Sequence, residues 1–361
     1  MIAAIEEAKI AEEAKKFEAA ENLAMSQGVQ QDKEMINTTH STAHIQNINN
    51  IISNVISNRM MHTTTSVAAV AAGDEDERVL DKGVWIAGLY GTNKQGSQKG
   101  FAGYKGHALG CTIGFDIGFD IGFDNYKDIV GIAYTKLDSK FKSVGGKLNT
   151  TIDSHILALY GQKELPENFA VQAMFAYNHN IVKSKINRLG TITTGKYKND
   201  NYNFETLLSY NYLTSGNIAF TPNIGVRYGY SKDGMYKEGD IGIQHLTIAA
   251  KKQNLWTDIL GGSVALAPQK ISEGLSITPM LQASVENYFN NKSKKLNAKV
   301  KWKNRIVEDT IVLPKQPKTG YNIGASVLAQ KGNVDVLVEY NCHLQKKYQS
   351  HQGFVKLKIN F

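Results

Sequence analysis

The chain ends "HQGFVKLKINF" at residues 351–361, and this stretch decides the fold. From Val355 on, every second residue is apolar: Val355, Leu357, Ile359 and Phe361. Lys356, Lys358 and Asn360 stand between them. A period of two puts the apolar set on one face of a β-strand and the polar set on the other. What the apolar face lies against is decided by the residues upstream.

The same alternation recurs from Gly83 onward. "NFAVQAMFAYNHNIV" sets Phe169, Val171, Ala173, Phe175 and Tyr177 against Ala170, Gln172, Met174, Ala176 and Asn178. "FTPNIGVRYGYS" sets Phe220, Ile224, Val226, Tyr228 and Tyr230 against Thr221, Asn223, Gly225, Arg227 and Gly229. Twelve such runs fall at 83–92, 103–118, 126–141, 149–163, 167–182, 199–213, 217–231, 253–267, 274–289, 319–331, 333–346 and 351–361. Several are 13–16 residues long, against about 5–6 for an ordinary soluble strand. Connections after the even runs are compact. Most after the odd runs are longer, with 183–198, 232–252 and 290–318 expected as loops; the one after the eleventh run is short. Long loops alternating with short turns are the pattern of an up-and-down barrel with two unlike rims.

Alternation alone also fits a soluble sandwich, so the character of the two faces matters. In hydrocarbon no water satisfies a bare N–H or C=O, so a sheet must close on itself, apolar outside and free to be polar within. The polar face here is built from Gly, Ser, Asn and Thr more than from Lys and Glu. Aromatic residues sit near run ends at Trp85, Tyr177, Tyr212, Tyr230, Phe289 and Phe361, where interfacial girdles lie. The expected fold is all-β, a 12-stranded antiparallel transmembrane β-barrel. No stretch is long and apolar enough for a transmembrane helix.

Upstream of the barrel the composition changes. Residues 1–26 are rich in Ala, Glu and Lys and read as a solvated helix supported by Glu12 and Lys16. Their start is acidic and lacks the apolar region of a signal peptide. In residues 43–64, Ile48, Ile51, Ile52, Val55, Ile56 and Met60 fall at helical spacing, with Asn, Ser, Gln and His on the other faces. About 20 helical residues span roughly 30 Å, the membrane thickness. This α-helical segment is expected inside the lumen, its amides and hydroxyls bonded to the polar wall; an amphipathic helix outside the barrel is the alternative. The domains read as 1–42, a passenger remnant and helical linker; 43–80, luminal helix and linker; and 81–361, the barrel. "IGFDIGFDIGFDN" at 113–125 is a triplicated four-residue unit, read as an expanded turn.

Taken in order, the Asn/Ser-rich helix, the twelve runs and the terminal strand resemble the C-terminal translocator domain of autotransporters (type V secretion). "GVWIAGLYG", "GCTIGFD", "GIAYTKLDSKFK", "NIGVRYGYS" and "GFVKLKINF" resemble strands of rickettsial surface-antigen autotransporters. The resemblance covers residues 43–361. It implies a barrel in the outer membrane of a Gram-negative bacterium that exports and anchors an N-terminal passenger, a surface antigen or adhesin. It also implies that Val355, Leu357, Ile359 and Phe361 form the signal read by the barrel-assembly machinery. The alternative is a stand-alone outer-membrane pore or adhesin without a passenger. The partners so implied are outer-membrane lipid and lipopolysaccharide, the assembly machinery and the chain's own passenger, with the barrel a monomer.

Little else carries chemistry. Some autotransporters cut themselves in the lumen between two asparagines, which maps onto Asn49 and Asn50. A carboxylate such as Glu205, Glu286 or Glu339 would have to lie beside them. Asparagine is frequent in this segment, and an accidental pair is the plainer reading. Cys111 and Cys342 form no zinc or redox spacing. "GTNKQGS" at 91–97 lacks the lysine of a phosphate loop. The nine histidines make no metal motif, so no catalytic group, cofactor or metal is expected. The net charge of +8 is read as membrane-facing, not as a sign of nucleic acid. The basic stretch "KSKKLNAKVKWKNR", 292–305, is expected as an outer loop able to meet lipopolysaccharide phosphates.

Overall fold

The structure, a computed structural model, describes residues 11–16, 18–19, 21, 47–57, 60, 82–119, 128–188, 190–242, 244–289, 295–302, 305–315 and 317–361. Its strands in chain order are β1 (Lys82–Gln95), β2 (Tyr104–Phe119), β3 (Asp128–Ser143), β4 (Leu148–Glu164), β5 (Phe169–Arg188), β6 (Thr191–Tyr210), β7 (Tyr212–Leu213), β8 (Ala219–Asp233) and β9 (Tyr236–Glu238). They continue with β10 (Gln244–Ile248), β11 (Lys251–Ala265), β12 (Gln269–Ser272), β13 (Leu275–Tyr288), β14 (Lys295–Trp302), β15 (Arg305–Val312), β16 (Thr319–Lys331), β17 (Val334–Gln345) and β18 (Tyr348–Asn360). Twelve of them, β1–β6, β8, β11, β13 and β16–β18, pair antiparallel in that order, and β18 returns to β1. The closed ring is the 12-stranded barrel expected.

Closure is what the lipid demands, since an open sheet would leave an edge of bare N–H and C=O groups in hydrocarbon. Register Gly83↔Asn360 to Gln95↔Tyr348 seals the seam, and the Phe361 N–H donates to the Lys82 carbonyl at 2.9 Å. The start of β1 and the end of β18 therefore share one rim, here the near rim, with the end of β2 and the turns after β4, β6, β11 and β16. The opposite, far rim carries β9, β10, β14 and β15.

Burial alternates along the wall, most regularly on β1–β6 and β18. Val84, Ile86 and Tyr90 face outward, while Trp85, Ala87 and Leu89 face the lumen. On β18, Val355, Leu357 and Ile359 are exposed outward with Phe361 beyond them, and Lys356 and Lys358 are each 4% exposed, inside. Trp85 corrects the expectation of an interfacial ring: it sits near a run end but on the inward parity, 1% exposed. A Cβ on its cross-strand neighbour Gly114 would lie 2.2 Å from Trp85 Cε2, so only glycine lets the indole lie flat across the wall.

The second correction concerns loops. Residues 183–198 are not a loop: β5 runs on to Arg188 and β6 begins at Thr191. The apolar alternation fades there because the outward face has left the lipid, although pairing continues from Ile181↔Lys198 to Arg188↔Thr191. The basic stretch 292–305 likewise contains β14, paired to β10 and β15. Leu246, Ile248, Leu296, Ala298 and Leu313 of this extension join Tyr104, Phe141, Leu148, Ile152, Val182 and Ile186 from the inner wall in one apolar cluster. The extension thus folds across the far mouth. Beneath it Arg188 and Glu238, both without solvent exposure, pair through two contacts of 2.8 Å. Burial and the adjacent Glu238 push the Tyr236 phenol well above its ordinary range.

Residues 11–16 are helical, with Glu12 and Lys16 paired at 2.8 Å. The acidic stretch before Gly83, most of the 1–42 segment and the later part of the repeat at 113–125 lie outside the described residues.

Candidate functional site in the barrel lumen

Residues 47–57 are helical and lie inside the barrel. The segment has two faces, as its sequence requires. Ile48, Ile51, Ile52, Val55, Ile56 and Met60, all 5% exposed or less, share one apolar cluster with the inner wall of β1–β5 and with Leu328, Leu337 and Phe354 of β16–β18. That wall is made shallow by small side chains in register: Gly114 opposes Ala133, Ala133 opposes Ala158, and Ala158 opposes Ala176. The ladder forms a groove that seats the helix off-centre.

The other face is polar and reaches across the lumen. Asn47 Oδ1 accepts from Ser350 Oγ at 2.8 Å and Gln352 Nε2 at 3.3 Å. Asn49 Oδ1 accepts from Asn178 at 3.3 Å and Asn201 at 3.0 Å. Asn50 Oδ1 accepts from Arg227 Nη1 at 2.7 Å. The same guanidinium meets Glu205, and Glu286 at 3.1 Å. Ser53 Oγ lies 2.7 and 2.9 Å from the two carboxylate oxygens of Glu205. Burying two carboxylates is tolerable here because one arginine and several donors share them. A cavity of about 80 Å³ remains beside Ser53, Asn54 and Ser57, lined by Glu205, Arg227, Glu286 and Asn341.

β18 completes the grip. Lys356 Nζ donates to the Val55 carbonyl at 2.7 Å and stands 4.8 Å from the centre of the Trp85 ring. Trp85 Nε1 donates to Tyr160 at 2.9 Å, and Tyr160 donates to Asp116 at 3.0 Å, with Lys358 3.8 Å from Asp116.

Asn49 and Asn50, singled out in the sequence, are therefore luminal and buried, each 4% exposed. Glu205 and Glu286 come to Asn50, and not to Asn49, through Arg227. Glu339 is engaged elsewhere, with Gln282 and Asn341. Among the described residues no carboxylate bonds the Asn49 amide. The terminal residues Val355, Leu357, Ile359 and Phe361 stand together on the outer face, away from this network. The roles of Lys356, Lys358 and Trp85 were missed in the sequence. The inward parity of the two lysines was visible, but their partners come from three other elements. Among the described residues no group of His, Cys, Asp or Glu is placed to hold a metal ion.

A family model described as the autotransporter β-domain matches residues 84–341. The chain belongs to the autotransporter β-domain family. This autotransporter β-domain is 41% identical over 307 residues to the putative surface cell antigen sca2 of Rickettsia felis, covering 85% of this chain and 18% of that protein. It is 38% identical over 326 residues to the putative surface cell antigen sca1 of Rickettsia conorii, covering 87% of this chain and 17% of the other. The chain thus spans less than a fifth of the length of these relatives. Among solved structures it resembles the translocator domain of NalP from Neisseria meningitidis, with a TM-score of 0.57 at 15% identity over 86% of this chain and 98% of that one. That likeness is one of fold. The autotransporter β-domain is an outer-membrane transport barrel, and its family is not one of enzymes.

Proposed function

We propose that this barrel exports an N-terminal passenger through its lumen and afterwards anchors it in the outer membrane. One observation carries the reading: the direction of the helix. Asn47 meets Ser350 and Val55 meets Lys356, so the helix runs from the far-rim side towards the near rim along β18. A chain that leaves the lumen at the far rim with its N-terminal part leading has the direction that an exported passenger needs. In this reading the far rim, with its longer connections, faces outside. The outer face of Val355, Leu357, Ile359 and Phe361 is then what the assembly machinery meets during insertion. The passenger is a surface antigen or adhesin, the first of these being the word in the relatives' names. A single chain completes the ring, which favours a monomer.

The test is a protease site inserted between residues 30 and 31 in intact cells. Protease added outside is expected to cut it. Cutting only after the outer membrane is opened would overturn the reading.

A further inference from the structure

Beyond the lipid-facing band, one side of the outer wall turns basic. Lys94 of β1 stands in register with Lys105 of β2, and Lys105 with Lys142 of β3. Two residues nearer the membrane, His107 opposes Lys140, and Thr92 lies between His107 and His351. The four lysines are exposed, and none carries an ion pair among the described residues. Directly opposed residues of an antiparallel pair have Cβ atoms about 5 Å apart, and like charges there repel. Two rows further down, Lys136 is balanced by Asp138 and Asp153.

The patch is concave and continuous with the lipid face. A hollow of about 880 Å³ is lined by Lys94, Lys105, Lys140, Lys142, His107 and His351, with Tyr90 among its walls. Lys140 stands one row of two residues above the row of Tyr90, and Lys94, Lys105 and Lys142 stand two rows above it, about 13 Å of strand or about 9 Å along the membrane normal at the usual tilt. From there the long lysine side chains reach back to headgroup height. Below them on β2 Leu109 and Ile113 present exposed apolar surface, and Ile132 of β3 joins this strip beneath the paired Asp138 and Lys136.

We propose that this face binds a phosphorylated glycolipid of the surrounding outer leaflet. Its phosphates are shared among Lys94, Lys105, Lys140 and Lys142, and its acyl chains lie along Leu109, Ile113 and Ile132. The continuity of a cationic hollow with an apolar strip selects a lipid over a soluble anion. The proposal rests on the far rim facing outside, but its test does not: binding is read on purified full-length chain in detergent, whereas orientation is read by protease on cells.

Neutral detergent micelles carrying diphosphorylated lipid A are titrated onto the chain and onto K94S/K105S/K142S. Heat-modifiable migration shows that each barrel is closed. Each charge near such a surface contributes modestly, so the triple variant is expected to bind about a hundredfold more weakly. K232S/K252S/K331S, altered elsewhere on the wall, is expected to bind as the parent does. Should the first triple variant fail to close, K105Q, flanked by lysine on both sides, is expected to lose about fivefold. Undiminished binding by whichever variant is read would overturn the proposal. So would equal binding of dephosphorylated lipid A, equal binding of phosphatidylglycerol micelles, or displacement by millimolar inorganic phosphate.

Discussion

At the scale of single residues, the lumen depends on Arg227. It bridges Glu205 and Glu286 and also holds Asn50, so Arg227→Met strands two buried carboxylates. Breaking such a group by removing one member costs about 3–5 kcal/mol. The expected outcome is a lower urea midpoint for the variant, with Arg227→Lys between it and the parent. Asn49 leads to a different expectation. Its carboxamide oxygen is held by Asn178 and Asn201, and no described carboxylate activates its nitrogen. The bond to Asn50 should therefore survive purification; an Edman sequence beginning at Asn50 would show the opposite. Glu205, Arg227 and Glu286 were legible as inward residues because strand parity fixes facing. That one of them would join the other two was not, since it depends on the register that sets Glu205 opposite Arg227 and on the reach of the guanidinium across β11 to Glu286.

At the scale of elements, the helix was visible in the sequence and its groove was hidden. The apolar stripe Ile48, Ile51, Ile52, Val55, Ile56 and Met60 is plain at helical spacing. Its seat is a ladder of glycine and alanine on four strands, and small residues carry almost no signal in an alternation count. Ala133→Phe should overfill that groove at a cost of about 1–3 kcal/mol. The displaced helix would show as higher single-channel conductance in planar bilayers; conductance equal to the parent's would mean that the groove does not seat it. The far-rim extension has its own chemistry. The Tyr236 phenol is raised by burial and by Glu238, so the folded form stays neutral where an unfolded one ionises. Its contribution is whole below about pH 10 and declines as pH climbs above that value. Tyr236→Phe should flatten this alkaline loss, read as protease nicking of the extension between pH 9 and 11. These strands escaped the sequence reading because apolar alternation marks lipid contact, and pairing beyond the membrane needs none.

At the scale of the whole molecule, the barrel is the most legible feature, since its twelve strands repeat one rule under one constraint. Phe361 contributes a backbone bond across the seam and the last outward side chain of the closing strand. Removing it should lower the yield of heat-modifiable barrel several-fold in cells while the inner contacts of β18 persist. Full yield would take the terminal aromatic out of assembly. The two faces of that strand then have a joint consequence. Lys356 can meet Val55 only after β18 has slotted between β17 and β1. The bolt on the conduit therefore cannot be shot until the hoop has been fastened, and an unfinished barrel keeps its passage free.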